Sequence, residues 1–128
     1  MQQLETVKAN FGEITFFTNQ DKTILLAKPK GYIGPSLVKK DLAYVEEFEK
    51  SIVHQWTYLI DISNVKAVSP INPFLLKGLK RFERMQEYVV YAPSPIIRML
   101  LLLSSWINKP DRIIKTQAAF ELELSTKF

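Results

Sequence analysis

Trp56-Thr57-Tyr58-Leu59-Ile60-Asp61-Ile62-Ser63 is the stretch on which the fold turns. Its apolar side chains follow one another almost without a break, where a half-exposed strand would alternate. The segment therefore reads as a strand buried on both faces and ending in polar residues. Such a strand belongs in the middle of a sheet. Downstream of it the signals alternate. Asn72-Pro73 is a helix cap followed by proline at the first helical position, which predicts a helix to about Gln86. Residues 87–92 read as a strand, Ser94-Pro95 repeats the cap-and-proline signal ahead of a helix over 96–107, residues 112–115 read as a short strand, and Thr116 caps a closing helix to about Leu124. Strand, helix, strand, helix, strand, helix implies parallel strands joined by crossover helices.

Upstream, residues 6–18 are rich in β-branched and aromatic side chains and read as one edge strand, with Gly12 as a bulge or bend. Asn19-Gln20-Asp21-Lys22 is a turn, and residues 23–27 form the other arm of an antiparallel hairpin. Pro29, Gly31, Gly34 and Pro35 punctuate a loop, after which Ser36 caps a helix to about Gln55. Leu37, Leu42, Val45, Phe48 and Ile52 recur along it at helical spacing. The expected fold is α/β: a mixed sheet of about five strands, an N-terminal antiparallel hairpin followed by parallel βαβαβα.

A chain of 128 residues suits one domain spanning 1–128. It has no cysteine, which excludes a disulfide framework, a thiolate metal site and a Cys nucleophile. The start, Met1-Gln2-Gln3-Leu4-Glu5, lacks the basic and apolar run of a signal peptide, and a cytoplasmic location is expected. The apolar stretch 96–107 is interrupted by Arg98, Ser104 and Ser105 and falls short of the ~20 residues of a bilayer span, so an integral membrane protein is not expected. A net charge of +4 mildly favours acidic partners. Basic and acidic residues are mixed throughout, however, and no nucleic-acid motif appears, so nucleic acid is not an expected partner.

Residues 59–75, Leu-Ile-Asp-Ile-Ser-Asn-Val-Lys-Ala-Val-Ser-Pro-Ile-Asn-Pro-Phe-Leu, resemble the STAS family, named for sulfate transporters and anti-sigma-factor antagonists, with the SpoIIAA-like group nearest. Asp61, Ser63 and Val65 fit the family's strand ending in Asp-apolar-Ser, and the order of elements after it matches over about residues 56–125. The resemblance implies a regulatory module that binds a protein partner through the following loop and helix. One departure stands out. Where phospho-switched antagonists read Asp-Ser-Ser-Gly, this chain reads Ser69-Pro70-Ile71-Asn72. Ile71 occupies the phosphoacceptor position and has no hydroxyl, so that switch is not expected; Ser69 aligns with the Asp and suits a turn or cap.

Little else suggests chemistry. His54 is the single histidine and suits the C-terminal end of a helix as a surface residue. Asp61 and Ser63 end a central strand, where α/β sheets place ligands, but a backbone-bonding role for Asp61 and a turn role for Ser63 is the stronger reading. The four glycines are scattered, with no phosphate loop and no metal-ligand cluster; no cofactor and no enzymatic activity are expected. Lys77, Lys80, Arg81 and Arg84 recur at i, i+3, i+4 and i+7, a basic stripe that is either a solvated face or, with Ser69, Ile71 and Asn72, a partner surface. The helix over 96–107 is apolar almost all round. With Ile96 and Met99 among the residues facing the sheet, Ile97 and Leu101 are left for a small apolar or lipid-like ligand or a second copy in a homodimer.

Overall fold

The computed structural model describes residues 1–69, 82–96, 98, 99 and 110–127. In chain order these contain β1 (Gln2–Lys8), β2 (Gly12–Thr18), β3 (Ile24–Ile33), helix α1 (Pro35–Lys50), β4 (Trp56–Asp61), β5 (Asn64–Val68), β6 (Met85–Tyr91), β7 (Arg112–Ile114) and helix α2 (Gln117–Lys127). One sheet takes the order β1-β2-β3-β4-β6-β7, with β5 also beside β3. The pairs β1–β2 and β2–β3 are antiparallel, and β3–β4, β4–β6 and β6–β7 are parallel. The mixed α/β architecture is the one the sequence implies. Among the described residues the strands number seven, where the sequence suggests about five.

The first extra strand comes from splitting residues 6–18. Gly12 is not a bulge within one strand but the start of β2 after a tight turn: the Ala9 N–H donates to the Gly12 carbonyl at 3.0 Å, and β1 folds back as a separate edge strand. A Cβ on Gly12 would lie 2.1 Å from the Tyr32 carbonyl oxygen, so only glycine lets β3 approach so closely.

The second extra strand, β5, prolongs β4. Ala27 faces Ile60 while Lys30 faces Asn64, so both strands run along β3 in the same direction, with a one-residue slip at Ile62 and Ser63. β3 is correspondingly long, passing through Pro29 and Gly31 where the sequence suggests a loop. Proline is tolerated because odd-numbered residues of β3 turn their peptide groups toward β4 and β5: the Thr23 carbonyl accepts the Thr57 N–H and the Ile33 carbonyl accepts the Ser69 N–H. The donor that Pro29 lacks falls where β4 hands over to β5 and the ladder is already interrupted. Gly31 takes φ +83°, and a Cβ there would stand 2.5 Å from the Phe11 carbonyl oxygen.

Gly34, not Ser36, is the N-cap of α1, with Pro35 at the first helical position; the helix stops at Lys50, short of Gln55. Ser51 ends it, its Oγ donating to the Phe48 carbonyl at 2.7 Å. Leu37, Val45 and Phe48 are buried and join Ile14, Phe16, Leu25, Trp56, Tyr58 and Val90 in a core on one face of the sheet. The other face holds a second core of Ile24, Leu26, Leu59, Val89, Tyr91 and Ile114 under α2. There the Phe120 and Tyr91 rings stack at 4.1 Å. The Thr116 Oγ1 accepts the Ala119 N–H at the start of α2, the cap its sequence suggests. β4 is buried at all six positions, as a strand between two cores must be.

Two expected boundaries shift. Residues 83 and 84 form a turn and β6 opens at Met85, so no helix reaches Gln86. Ile96 and Met99 are 68% and 56% exposed and do not face the sheet. The inward position is taken by Arg98, whose guanidinium donates to the carbonyls of Ala92, Pro93 and Lys115. A single cation bonded to three strand-end carbonyls fixes which side of that turn faces the protein.

Candidate functional site

The carboxyl ends of β4, β5 and β6 are where an α/β sheet binds ligands, because loops diverge there and leave backbone groups to be satisfied. Among the described residues several of those groups are bonded within the protein. The Asp61 carboxylate accepts the Ser63 N–H at 2.9 Å, closing the turn that displaces β5 from β4. On β6, Tyr91 faces Asp61 across the ladder. Burial, and then the Asp61 charge beside it, push its phenol above the ordinary value. Arg98 covers the ends of β6 and β7. Asp61 and Ser63 thus shape a turn.

β3 continues five residues past the row of Asp61, roughly 16 Å, with β5 beside it. Ser69 ends this projection. It is buried, and its N–H donates to the Ile33 carbonyl at 3.0 Å, so the backbone of the loop leaves the sheet anchored. Ile71, Asn72, Lys77, Lys80, Arg81, Ile97 and Leu101 lie outside the described residues.

Arg84 is described, and it stands apart from Ser69. Its carbonyl accepts the Trp56 N–H at the start of β4, which puts it at the amino end of the parallel strands. The Glu49 carboxylate of α1 accepts the Arg84 N–H at 2.9 Å and the Trp56 indole N–H at 2.9 Å. Arg84 therefore belongs to a clasp between the end of α1 and the starts of β4 and β6. Sequence spacing assigns it to a helical stripe because the apolar pattern up to Gln86 conceals the turn at 83–84. His54 is exposed, with Nε2 3.0 Å from the Lys22 carbonyl oxygen, on the loop between α1 and β4.

Asp41 is a functional-looking group that sequence reasoning misses. It lies on the inner face of α1, buried against the first core, and accepts a short hydrogen bond from the Tyr58 hydroxyl. Burial raises its pKa from 3.8 to about 7, and the Tyr58 hydrogen bond offsets part of that rise. The phenol of Tyr58 is held well above its ordinary range, by burial first and by the Asp41 charge second. Its place in the helical repeat, four residues after Leu37 and four before Val45, is the available signal.

A cavity of about 200 Å³ opens between α1 and the N-terminal hairpins, lined by Leu4, Thr18, Lys22, Tyr44, Glu47, Phe48 and Ser51. Neither Asp61 nor Ser63 lines it. Among the described residues no three His, Asp or Glu side chains are grouped as metal ligands. No described helix is long and apolar enough to cross a membrane.

No family model matches the chain, and no curated protein matches it. Solved structures do. An uncharacterised protein of the DUF3478 family with a SpoIIAA-like fold, from Shewanella loihica PV-4, aligns over 95% of this chain and 99% of its own with a TM-score of 0.61 at 16% identity. The anti-sigma factor antagonist SpoIIAA in its unphosphorylated form aligns over 90% of this chain and 99% of its own with a TM-score of 0.60 at 10% identity. Identities this low speak to architecture alone, and on that architecture the chain has a SpoIIAA-like fold.

Proposed function

We propose that the protein is a non-catalytic SpoIIAA-like regulatory module that binds a protein partner at the carboxyl end of its sheet. The observation that carries this is Arg98. By turning inward onto three carbonyls it leaves Ile96 and Met99 exposed, an apolar surface of the kind that partners cover. Asp61 is engaged by the backbone, and this end offers binding surface in place of a poised acid or base. One protein similar in fold is an anti-sigma factor antagonist, which agrees with a protein-binding role.

The docking residues we assign are Ser69, which follows β5, with Ile71, Asn72, Lys77, Lys80 and Arg81 after it in the sequence; Arg84, at the opposite end of the strands, is not among them. Ile71 removes the phosphoserine switch that the family pattern carries, so the partner is engaged without that modification. The test is a purified-partner titration in which Lys77→Glu, Lys80→Glu and Arg81→Glu are combined. Binding should fall at least tenfold with unchanged thermal stability, while Arg84→Glu leaves affinity intact. Undiminished binding by the triple variant would remove this surface.

A second reading takes the exposed Ile96 and Met99 as the mouth of a site near Ile97 and Leu101 for a small apolar ligand, or as one half of a homodimer contact. Native mass spectrometry separates these: a bound lipid-like mass supports the carrier, a doubled mass the dimer, and a bare monomer neither.

A further inference from the structure

The outer face of the β1–β2–β3 ladder, beyond the second core, carries an unusual arrangement of charge. Val7, Ile14, Ala27, Ile33 and Val65 point into or against the first core. By strand alternation Lys8, Glu13, Lys28 and Tyr32 therefore point the other way, as does Lys30 between Lys28 and Tyr32, while Lys66 is exposed at the register slip of β5 beside them. Lys8, Glu13, Lys30 and Asn64 follow one another across four strands in register, and Lys66 comes next along β5. Three lysines thus share the face of this ladder with Glu13, and Lys66 stands exposed at its edge. Lys28 is committed, its Nζ 5.3 Å above the Phe17 ring. Among the described residues Lys8, Lys30 and Lys66 enter no ion pair.

At the outer end of the same ladder the surface turns apolar. Phe11, at the tip of the β1–β2 hairpin, is 79% exposed and Tyr32 is 40%. The backbone joins them: the Tyr32 N–H donates to the Phe11 carbonyl at 2.9 Å. The tip is therefore apolar at its extremity with a row of unpaired lysines one pleat behind.

We propose that this end of the molecule docks on an anionic membrane surface, with Phe11 entering the boundary between headgroups and acyl chains while Lys8, Lys30 and Lys66 lie at the level of the lipid phosphates. Phe11 crowns a convex turn, a shape that a deformable lipid phase closes around. The three free ammonium groups sit on three different strands, so they are spread over roughly 10–15 Å. That spacing matches the diffuse negative potential of an anionic leaflet better than the point charges of a folded protein.

Co-sedimentation of the full chain with vesicles tests the assignment. Binding is expected to vesicles of phosphatidylcholine with about 30 mol% phosphatidylserine, to be absent with phosphatidylcholine alone, and to be lost in about 0.5 M salt. Lys30→Ala with Lys66→Ala should weaken it roughly 25-fold, about fivefold for each lysine near the surface. Phe11→Ser should weaken it about tenfold while leaving the salt dependence intact. Both variants change exposed side chains, so unaltered thermal unfolding checks that they fold. Failure of the wild type to bind the anionic vesicles, or equal binding by the double lysine variant, overturns the proposal. So does tighter binding to a single-stranded oligonucleotide or to polyglutamate than to the vesicles.

Discussion

Replacing Asp41 with asparagine should change how stability depends on pH in a direction opposite to that of a carboxylate held by a cation, such as Glu123. In the folded chain Asp41 titrates at about 7 against an ordinary 3.8. A raised carboxyl pKa means that the folded state holds its proton more tightly than the unfolded one. The contribution is therefore fully present below about pH 3.8, shrinks as pH rises and the unfolded chain alone ionises, and is gone above about pH 7. At 1.36 kcal/mol per pKa unit the wild type should lose roughly 4 kcal/mol across that window from this residue. The amide introduced by Asp41→Asn does not titrate and can still accept the Tyr58 hydroxyl, so the variant keeps the hydrogen bond and escapes the loss. Urea unfolding followed by tryptophan fluorescence at about pH 4 and about pH 8 reads the difference, which should move in favour of the variant by several kcal/mol as pH rises. Two stability curves running parallel between those pH values would refute the reasoning.

Other perturbations follow from single contacts. Gly31→Ala must place a Cβ 2.5 Å from the Phe11 carbonyl at φ +83° and should cost about 2–3 kcal/mol in urea unfolding; an unchanged urea midpoint would deny the close approach its cost. Arg98→Gln removes the donor shared by three carbonyls and should cost about 1–3 kcal/mol. It should also speed hydrogen exchange at Ala92, whose N–H donates to Ile114; unchanged exchange there would deny Arg98 its part in holding the strand ends. Arg112→Gln separates α2 from β6, since its guanidinium pairs with both Glu87 and Glu123. Because the pair is partly exposed, the loss should stay within about 1 kcal/mol and vanish in high salt. The Arg112 hydrogen bond holds Glu123 below its ordinary pKa, so this contribution disappears as pH falls through the acid range, the reverse of Asp41, and acid titration of Glu123 by NMR would show it.

What the sequence makes legible follows from how each residue is buried. β4 announces itself because six consecutive buried positions demand an unbroken apolar run, and the capped starts of the later elements carry Pro and Thr at fixed places. The β1–β2 split is hidden because Gly12 serves a bulge and a turn equally well, and only the approach of Tyr32 decides between them. β5 is hidden for another reason: it is exposed on most of its length, is held by backbone pairing to β3, and so has no hydrophobic pattern to display. Pro29 in β3 misleads because proline ends most strands, and its tolerance here depends on a register slip in a neighbouring strand. At the candidate site, the turn role of Asp61 can be read from Asp-x-Ser alone. The inward turn of Arg98 cannot, since it reverses the facing that apolar periodicity assigns to Ile96 and Met99. Asp41 stands at a core position in plain view, but its polarity disguises it.

The most direct test of docking at the carboxyl end of the sheet is site-specific photo-crosslinking in intact cells. A photoreactive side chain at position 71, two residues after the anchored Ser69 in the sequence, should give one discrete protein adduct that disappears when Lys77, Lys80 and Arg81 are reversed to glutamate. The same group at Leu122, 65% exposed on α2, should give none. Equal adducts from both positions, or no adduct from position 71 while the folded protein is present, would contradict a partner surface there.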